Sequence, residues 1–182
     1  RELQKKLNIS TLFVTHDQDE ALSMSDKIVV MKDGAICQIG TPTEIYEQPA
    51  SSFVASFMGL SNIFPTECQS VFKDKALVNV DGTQFEVMSR DLKPKDKLSI
   101  MIRPENIGIE KKLAKSRGKG FPGKIISMIY LGSIVQYTIK MEKGPTVLVT
   151  VNNSKFIDKQ SYNNSEEVVL TFPPKSIYPI LG

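Results

Sequence analysis

A succession of short β-type runs, each bounded by Gly, Pro, Asn or Asp, is the feature that most restricts how this chain can fold. The runs are rich in Val, Ile, Thr, Phe and Tyr, and they cover residues 76–80, 84–88, 97–103, 124–131, 134–141, 146–151 and 167–172. Many short strands without a helical period predict a small barrel or sandwich.

The same region contains a weak internal repeat. The Phe-Pro pair at 64–65 recurs at 121–122, and the pattern of residues 100–107 recurs at 170–177. This repeat predicts two related groups of strands that fold together.

The beginning of the chain has a different pattern. Residues 11–15, TLFVT, form a nearly continuous apolar run, which predicts a buried parallel strand. Asp17 can cap a helix that follows, and residues 27–31, KIVVM, predict a second strand. Asp33-Gly34 predicts a hairpin turn after that strand. Helix and strand thus alternate, as in an α/β sheet.

Two short helices are expected next. The sequence TPTE at 41–44 is a helix-start signal, and Ser51 or Ser52 can cap the second helix. We therefore predict an α/β region at 1–60 and an all-β, barrel-like domain at 61–182.

Charge and composition agree with this division. Residues 1–59 carry five basic and eight acidic side chains, and residues 60–182 carry eighteen basic and twelve acidic.

No apolar run reaches the roughly 18 residues needed to span a bilayer, and no signal peptide is present, so a soluble cytoplasmic protein is expected. Two separated cysteines and a single histidine predict no zinc site. The chain begins at Arg1, within a predicted helix, which indicates a fragment of a longer protein.

His16, the only histidine, lies between the first predicted strand and the capped helix. Ligands of open α/β sheets bind beyond the carboxyl ends of the strands, and helix N-termini favour phosphate. A neutral imidazole there can hydrogen-bond a nucleotide's terminal phosphate or the attacking water. It can equally satisfy a loop carbonyl, and position alone leaves both interpretations open.

Two further patterns in the second region resemble binding sites. Residues 118–124 satisfy G-x-x-x-x-G-K, but Ile125 replaces the required Ser or Thr and a strand-like run follows, so phosphate binding is not expected. Residues 111–119 hold five positive charges and no acid, which favours a solvated loop over polyanion binding. In the polyanion alternative, bases would stack on Tyr130 or Tyr137, although both tyrosines fit a core equally well.

Residues 13–59, FVTHDQDEALSMSDKIVVMKDGAICQIGTPTEIYEQPASSFVASFMG, resemble the end of the nucleotide-binding domain in ATPase subunits of ABC importers. The resemblance implies that His16 is the switch-loop histidine, which contacts the γ-phosphate of ATP and helps position the hydrolytic water. Asp17 and Gln18 are assigned helix-capping and loop-shaping roles. The residues that bind phosphate and Mg²⁺ in the family lie upstream of Arg1. ATP and Mg²⁺ are therefore expected in the longer parent, and no ATP hydrolysis is expected from this chain alone.

Three segments resemble the TOBE domain, an OB-like barrel that follows the nucleotide-binding domain in many importer ATPases. They are Ser61-Asn62-Ile63-Phe64, residues 102–107 (IRPENI) and residues 130–133 (YLGS). For Arg103 and Glu105 we favour an ion pair or hydrogen bond that pins the end of a strand. The alternative is a regulatory contact with a partner subunit or an effector. The later FPPKS segment departs from the family because it lacks the acid often found after the second proline.

Together the resemblances imply the C-terminal portion of an ABC importer ATPase subunit on the cytoplasmic face of the membrane. The expected partners are a second copy of the subunit, the membrane permease subunits and, indirectly, an extracytoplasmic solute-binding protein. The barrel domain would act in dimerisation or regulation, and polyamine or ferric iron is favoured as cargo. The alternative function is an OB-type barrel that binds nucleic acid or a small oxyanion effector.

Overall fold

The computed structural model describes residues 1–89, 91–112, 120–153 and 162–181. The chain divides into two compact units, residues 1–59 and residues 60–182. In the described parts of both units, no helix has the length and apolar character needed to cross a membrane.

The first unit contains four short helices and one hairpin: α1 (Glu2–Leu7), α2 (Gln18–Met24), β1 (Ile28–Lys32), β2 (Ala35–Gly40), α3 (Pro42–Glu47) and α4 (Ser52–Phe57). Strands β1 and β2 pair antiparallel. The predicted turn between them is confirmed, because Asp33 and Gly34 have φ values of 51° and 79°, in the left-handed region that two-residue hairpin turns require. A small core forms from Ile28, Val30, Ile45, Val54 and Met58.

The predicted parallel strand at 11–15 is wrong. The segment has no regular secondary structure, and the side chains of Leu12 and Val14 are 91% and 87% exposed. A strand exists only through hydrogen bonds to a neighbouring strand. In the described part of the first unit, β1 and β2 pair only with each other. The expected α/β sheet is therefore reduced to an antiparallel hairpin with helices.

The helix starts were predicted correctly. Thr41 and Glu44 form a reciprocal capping box at the beginning of α3, with Pro42 at its first position. The Ser51 side chain accepts a hydrogen bond from the Val54 N–H at the beginning of α4. These are local interactions, which is why a few adjacent residues suffice to predict them.

The described part of the second unit contains ten strands and two single-turn 3₁₀ helices. The strands are β3 (Asn62–Phe72), β4 (Lys75–Val80), β5 (Thr83–Met88), β6 (Lys97–Ile102), β7 (Gly108–Lys111), β8 (Phe121–Tyr130), β9 (Ile134–Met141), β10 (Thr146–Asn152), β11 (Glu167–Thr171) and β12 (Ile177–Leu181). The 3₁₀ helices are η1 (Pro104–Asn106) and η2 (Pro174–Ser176). The strands form two curled five-stranded sheets, in the orders β12-β6-β3-β4-β5 and β10-β9-β8-β11-β7.

The topology confirms the two related strand groups. In each group a long strand is followed by a hairpin, a fourth strand, a 3₁₀ turn and a short last strand. The last strand of each group joins the sheet of the other group: β7 pairs with β11, and β12 pairs with β6. This exchange makes each sheet depend on residues from both groups, so the two groups cannot fold as separate barrels.

The two sheets share one core. The rings of Phe85, Phe121 and Phe172 meet there, with centroids 5.2–5.5 Å apart. Phe85 comes from the first strand group and the other two come from the second. Offset and edge-on ring pairs of this kind add about 0.5–1.5 kcal/mol each beyond simple burial.

Candidate functional site

His16 lies on an exposed turn immediately before α2. Thr15 Oγ1 accepts a hydrogen bond from the Asp17 N–H at 2.9 Å and donates its own proton to Glu20 Oε2 at 2.6 Å. Asp17 Oδ1 accepts from the N–H groups of Asp19 and Glu20, at 2.9 and 3.1 Å. Asp17 is thus the N-cap, as predicted. These bonds hold the backbone on both sides of His16 and leave its imidazole at the surface.

A cavity of about 810 Å³ in the first unit has His16 on its wall. Much of the lining is apolar, including Phe13 and Val30, and its cationic residues are Arg1 and Lys27. The Arg1 guanidinium is already bound, to the Ser23 carbonyl at 2.5 Å and to Asp26 Oδ1 at 3.2 Å. A triphosphate needs several cationic groups or convergent N–H donors. The cavity as described therefore suits apolar side chains better than a nucleotide.

The described ranges of both units contain no group of three or more His, Cys, Asp or Glu side chains that could hold a metal ion. His16 stays the candidate functional residue that the sequence proposed.

Arg103 and Glu105, the candidate regulatory pair, lie in different environments. Arg103 follows β6 and is 1% exposed, whereas Glu105 lies on η1 with its side chain exposed. Arg103 Nη1 donates hydrogen bonds to Ser61 Oγ at 2.5 Å and to the Leu60 carbonyl at 3.3 Å. A hydrogen bond that pins the end of a strand was the favoured interpretation of Arg103, and these contacts agree with it.

Asn62 is a buried polar residue to which the sequence patterns assign no role. It is 5% exposed, at the beginning of β3. Its Nδ2 donates to the carbonyls of Leu148 and Ile102, at 2.8 and 3.3 Å, and its Oδ1 accepts from the Leu148 N–H at 2.7 Å. The carboxamide therefore pairs with the edge strand β10 as another backbone segment would. A polar residue before an apolar run is the only local signal, and Leu148 is 86 residues away.

Tyr130 and Tyr137, the two candidates for base stacking, differ in exposure. Tyr137 is 1% exposed and meets Tyr162 edge-on, with centroids 5.6 Å apart, so it belongs to the core and cannot stack on a base. Burial raises the pKa of the phenols of Tyr137 and Tyr162. Tyr162 donates to the Ile109 carbonyl at 2.9 Å. Tyr130 is exposed, and its hydroxyl accepts a hydrogen bond from Asn153 at 2.9 Å.

The beginning of the basic run is engaged in ion pairs. Lys111 lies 3.2 Å from Glu166, and Lys112 lies 3.1 Å from Glu167. Both lysines are thus partly neutralised. Of the predicted loop at 111–119, Lys111 is the last residue of β7, and residues 113–119 lie outside the described residues.

The pattern at 118–124 that resembles a phosphate loop ends in a strand. Its Gly123 and Lys124 lie within β8, which continues to Tyr130. A phosphate loop needs a helix at this point, because the N–H groups of the first helical turn face the phosphate. The strand predicted after Lys124 is therefore confirmed, and Lys124 is not followed by the helix that a phosphate loop needs.

Comparisons with known proteins identify similar chains. The TOBE domain family model matches residues 100–179. The Fe(3+) ions import ATP-binding protein FbpC of Rhizobium etli is 42% identical over 149 residues, which are 82% of this chain and 41% of that protein. The spermidine/putrescine import ATP-binding protein PotA of Legionella pneumophila is 39% identical over 161 residues, 87% of this chain and 43% of that protein. This chain thus spans about two-fifths of the length of these relatives.

A solved structure, the cytoplasmic molybdate-binding protein ModG with molybdate bound, is similar in fold. The match has a TM-score of 0.53 and covers 66% of this chain and 96% of that chain, at 9% sequence identity. At this identity the likeness concerns the fold alone.

Proposed function

This chain is homologous to the C-terminal region of ABC importer ATP-binding subunits and carries a TOBE domain, and from that premise we propose that it is the C-terminal portion of a subunit that couples ATP hydrolysis to solute uptake. The observation that carries the proposal is the extent of the match. A match of 149 residues is longer than the second unit, residues 60–182, so it includes part of the first unit as well. Polyamine or ferric iron is the favoured cargo, because these relatives are importers of Fe(3+) and of spermidine or putrescine.

In this proposal, His16 senses the terminal phosphate of ATP. Two features support the role: the side chain is exposed, and hydrogen bonds of Thr15 and Asp17 hold the backbone on both sides. An imidazole can donate or accept a hydrogen bond near neutral pH, so it suits contact with a phosphate oxygen or a water molecule. The remaining phosphate and Mg²⁺ ligands would come from the part of the relatives that this chain does not match.

The second unit would act in dimerisation or regulation at the cytoplasmic face of the membrane, where the permease subunits and, indirectly, the solute-binding protein would be partners. Support comes from the end of β8 and the turn after it. There the large apolar side chains are between 37% and 56% exposed: Ile126, Met128, Ile129, Tyr130 and Leu131. Residues 125–139 contain no charge. Exposed large apolar side chains gathered in one short segment mark an interaction site. A second copy would offer the same uncharged segment.

The structure weakens the nucleic-acid alternative. Of the two tyrosines proposed for stacking, only Tyr130 is exposed, and both described lysines of the basic run are ion-paired. Fluorescence anisotropy with single-stranded DNA at low salt separates the functions: we expect no binding, and salt-sensitive binding would favour the alternative.

The proposed function can be tested in a chimera in which this chain replaces the matching C-terminal region of the Rhizobium etli relative. We expect the chimera to hydrolyse ATP and this chain alone to show no turnover. His16→Ala should lower kcat by about 100-fold or more, the usual effect of removing a group that positions the nucleophile or stabilises developing charge. Glu47→Gln, an exposed substitution on α3, is the matched control and should have little effect.

Three results would count against the proposal. A folded chimera without ATPase activity would contradict the assignment of this chain to an importer ATPase. Equal rates for the His16→Ala variant and the control would remove His16 from the site. ATP hydrolysis by this chain alone would show that phosphate and Mg²⁺ ligands from the rest of the subunit are not needed.

A further inference from the structure

Two hairpins of this chain have the same dipeptide in their turns. Asp33-Gly34 joins β1 to β2 in the first unit, and Asp81-Gly82 joins β4 to β5 in the second. The φ values are 51° and 79° in the first turn and 48° and 85° in the second, as two-residue hairpin turns require. All four residues are exposed. The chain thus contains a matched pair of Asp-Gly turns.

An Asp-Gly pair can rearrange its own main chain. The glycine nitrogen attacks the aspartate Cγ, the carboxyl hydroxyl leaves with the amide proton as water, and a five-membered succinimide forms. Water then adds to one of the two ring carbonyls. Addition at Cγ restores aspartate, whereas addition at the α-carbonyl breaks its bond to the glycine nitrogen and leaves isoaspartate, with the main chain running through Cγ. Glycine favours the attack because it has no side chain beside the nitrogen.

The second turn is held against this reaction. Asn79 Oδ1 accepts a hydrogen bond from the Gly82 N–H at 3.0 Å. The flanking residues Val80 and Thr83 are 4% and 5% exposed, and Thr83 Oγ1 donates to a carbonyl of the turn between β9 and β10 at 2.5 Å. The Gly82 nitrogen must leave Asn79 before it can reach the aspartate side chain. The reaction therefore requires this turn to open locally.

The first turn lacks these constraints. In the described parts of the chain, neither the Gly34 N–H nor the Asp33 carboxylate has a hydrogen-bond partner. The flanking residues Lys32 and Ala35 are exposed. Beyond its chain neighbours, no atom lies within 4 Å of the position that a Cβ on Gly34 would take. We propose that Asp33-Gly34 is a modification site at which isoaspartate forms spontaneously in the folded chain, and that Asp81-Gly82 is protected.

Isoaspartate at position 33 changes the β1–β2 hairpin. The main chain gains one carbon in a turn whose pairing, Lys32 with Ala35, fits two residues of ordinary length. Strand β1 contributes Ile28 and Val30 to the core of the first unit. The modification therefore loosens a strand on which this small core depends. It also leaves a carboxylate attached directly to Cα at an exposed turn, the group that isoaspartyl methyltransferases methylate.

Ageing of the whole folded chain tests the proposal. After incubation the chain is unfolded and digested with endoproteinase Asp-N, which cleaves before aspartate but not before isoaspartate, and mass spectrometry measures the uncleaved fraction at each turn. We expect isoaspartate to form at least about tenfold faster at Asp33 than at Asp81, because only the second turn must break a hydrogen bond and displace buried flanks. In urea, where neither turn is held, the two rates should be nearly equal.

Two variants and a control sharpen this test. Asn79→Ala removes the bond to the Gly82 N–H and should raise the rate at Asp81 by about two- to tenfold. Asn152→Ala, the same change at an exposed position of β10, is the matched control and should alter neither rate. Asp33→Glu keeps the charge but would have to close a six-membered ring, which forms far more slowly. This variant should lose most of the methylation that an isoaspartyl methyltransferase gives the aged wild-type chain.

Three outcomes would overturn the proposal. Equal rates at Asp33 and Asp81 in the folded chain would show that the contacts of the second turn do not protect it. A rate at Asp33 that is unchanged by Asp33-independent unfolding at Asp81, with both sites silent in the folded chain, would show that the first turn is held as firmly as the second. An unchanged rate at Asp81 in the Asn79→Ala variant would show that the bond to the Gly82 N–H is not the protecting contact.

Discussion

Replacing Asn62 with alanine would remove the side-chain amide that joins β3 to the edge strand β10. Three hydrogen bonds of 2.7, 2.8 and 3.3 Å are lost, and the Leu148 N–H and carbonyl lose their partner. Each bond contributes about 0.5–1.5 kcal/mol net, and an unsatisfied buried group costs about 1–3 kcal/mol. Because Leu148 is only half-buried, water can repair part of the loss. We expect a decrease of about 2–4 kcal/mol in the free energy of unfolding of the second unit.

Asn62→Asp is a second variant of the same shape. One carboxylate oxygen can still accept from the Leu148 N–H, but the other would face the Leu148 carbonyl, which is also an acceptor. The aspartate must also bury a charge or take up a proton. If hydrogen bonding rather than volume determines the role of Asn62, the aspartate variant should be at least as unstable as the alanine variant.

Urea unfolding followed by tyrosine fluorescence measures these effects, since the chain has no tryptophan and Tyr137 and Tyr162 lie in the core of the second unit. At typical m-values for small proteins, the expected loss moves the midpoint by roughly 1–2 M urea. Asn152→Ala, an exposed position on β10, is the control and should stay within about 0.5 kcal/mol of wild type. An Asn62→Ala variant as stable as this control would refute the reasoning.

Two further predictions concern titratable groups. Hydrogen bonds from the backbone N–H and hydroxyl of Thr41 hold the pKa of Glu44 below its ordinary value. The stability that this carboxylate adds is therefore present above the ordinary pKa. It is lost as the pH falls through the lower pKa of the folded state. The stability difference between wild type and Glu44→Gln, measured by urea unfolding, should therefore shrink between neutral pH and about pH 3; a constant difference would contradict the capping role. Burial raises the pKa of the Cys68 thiol, which is 0% exposed, whereas Cys37 is half-buried. Ellman's reagent should therefore modify Cys37 in the native chain and Cys68 only when the second unit unfolds, and rapid native reaction of a Cys37→Ser variant would show that Cys68 is accessible.

Features that depend on neighbouring residues could be predicted from the sequence. The capping box of Thr41 and Glu44 and the turn at Asp33-Gly34 are both present as expected. The strand runs of the second region and its internal repeat are present as well. Each of these depends on φ and ψ preferences or on hydrogen bonds that span a few residues. The resemblance to importer ATP-binding subunits is also a property of the sequence, and the similar relatives confirm it.

Other features were decided by tertiary structure alone. The apolar run 11–15 has the composition of a buried strand, but composition cannot supply the neighbouring strand that a ladder requires. Tyr130 and Tyr137 belong to equally apolar runs, yet only Tyr137 packs in the core of the second unit. The exchange of β7 and β12, and the pairing of Asn62 with Leu148, join residues far apart in the chain. Local preferences carry no information about such partners, so only the folded chain shows where buried polar groups find their hydrogen bonds.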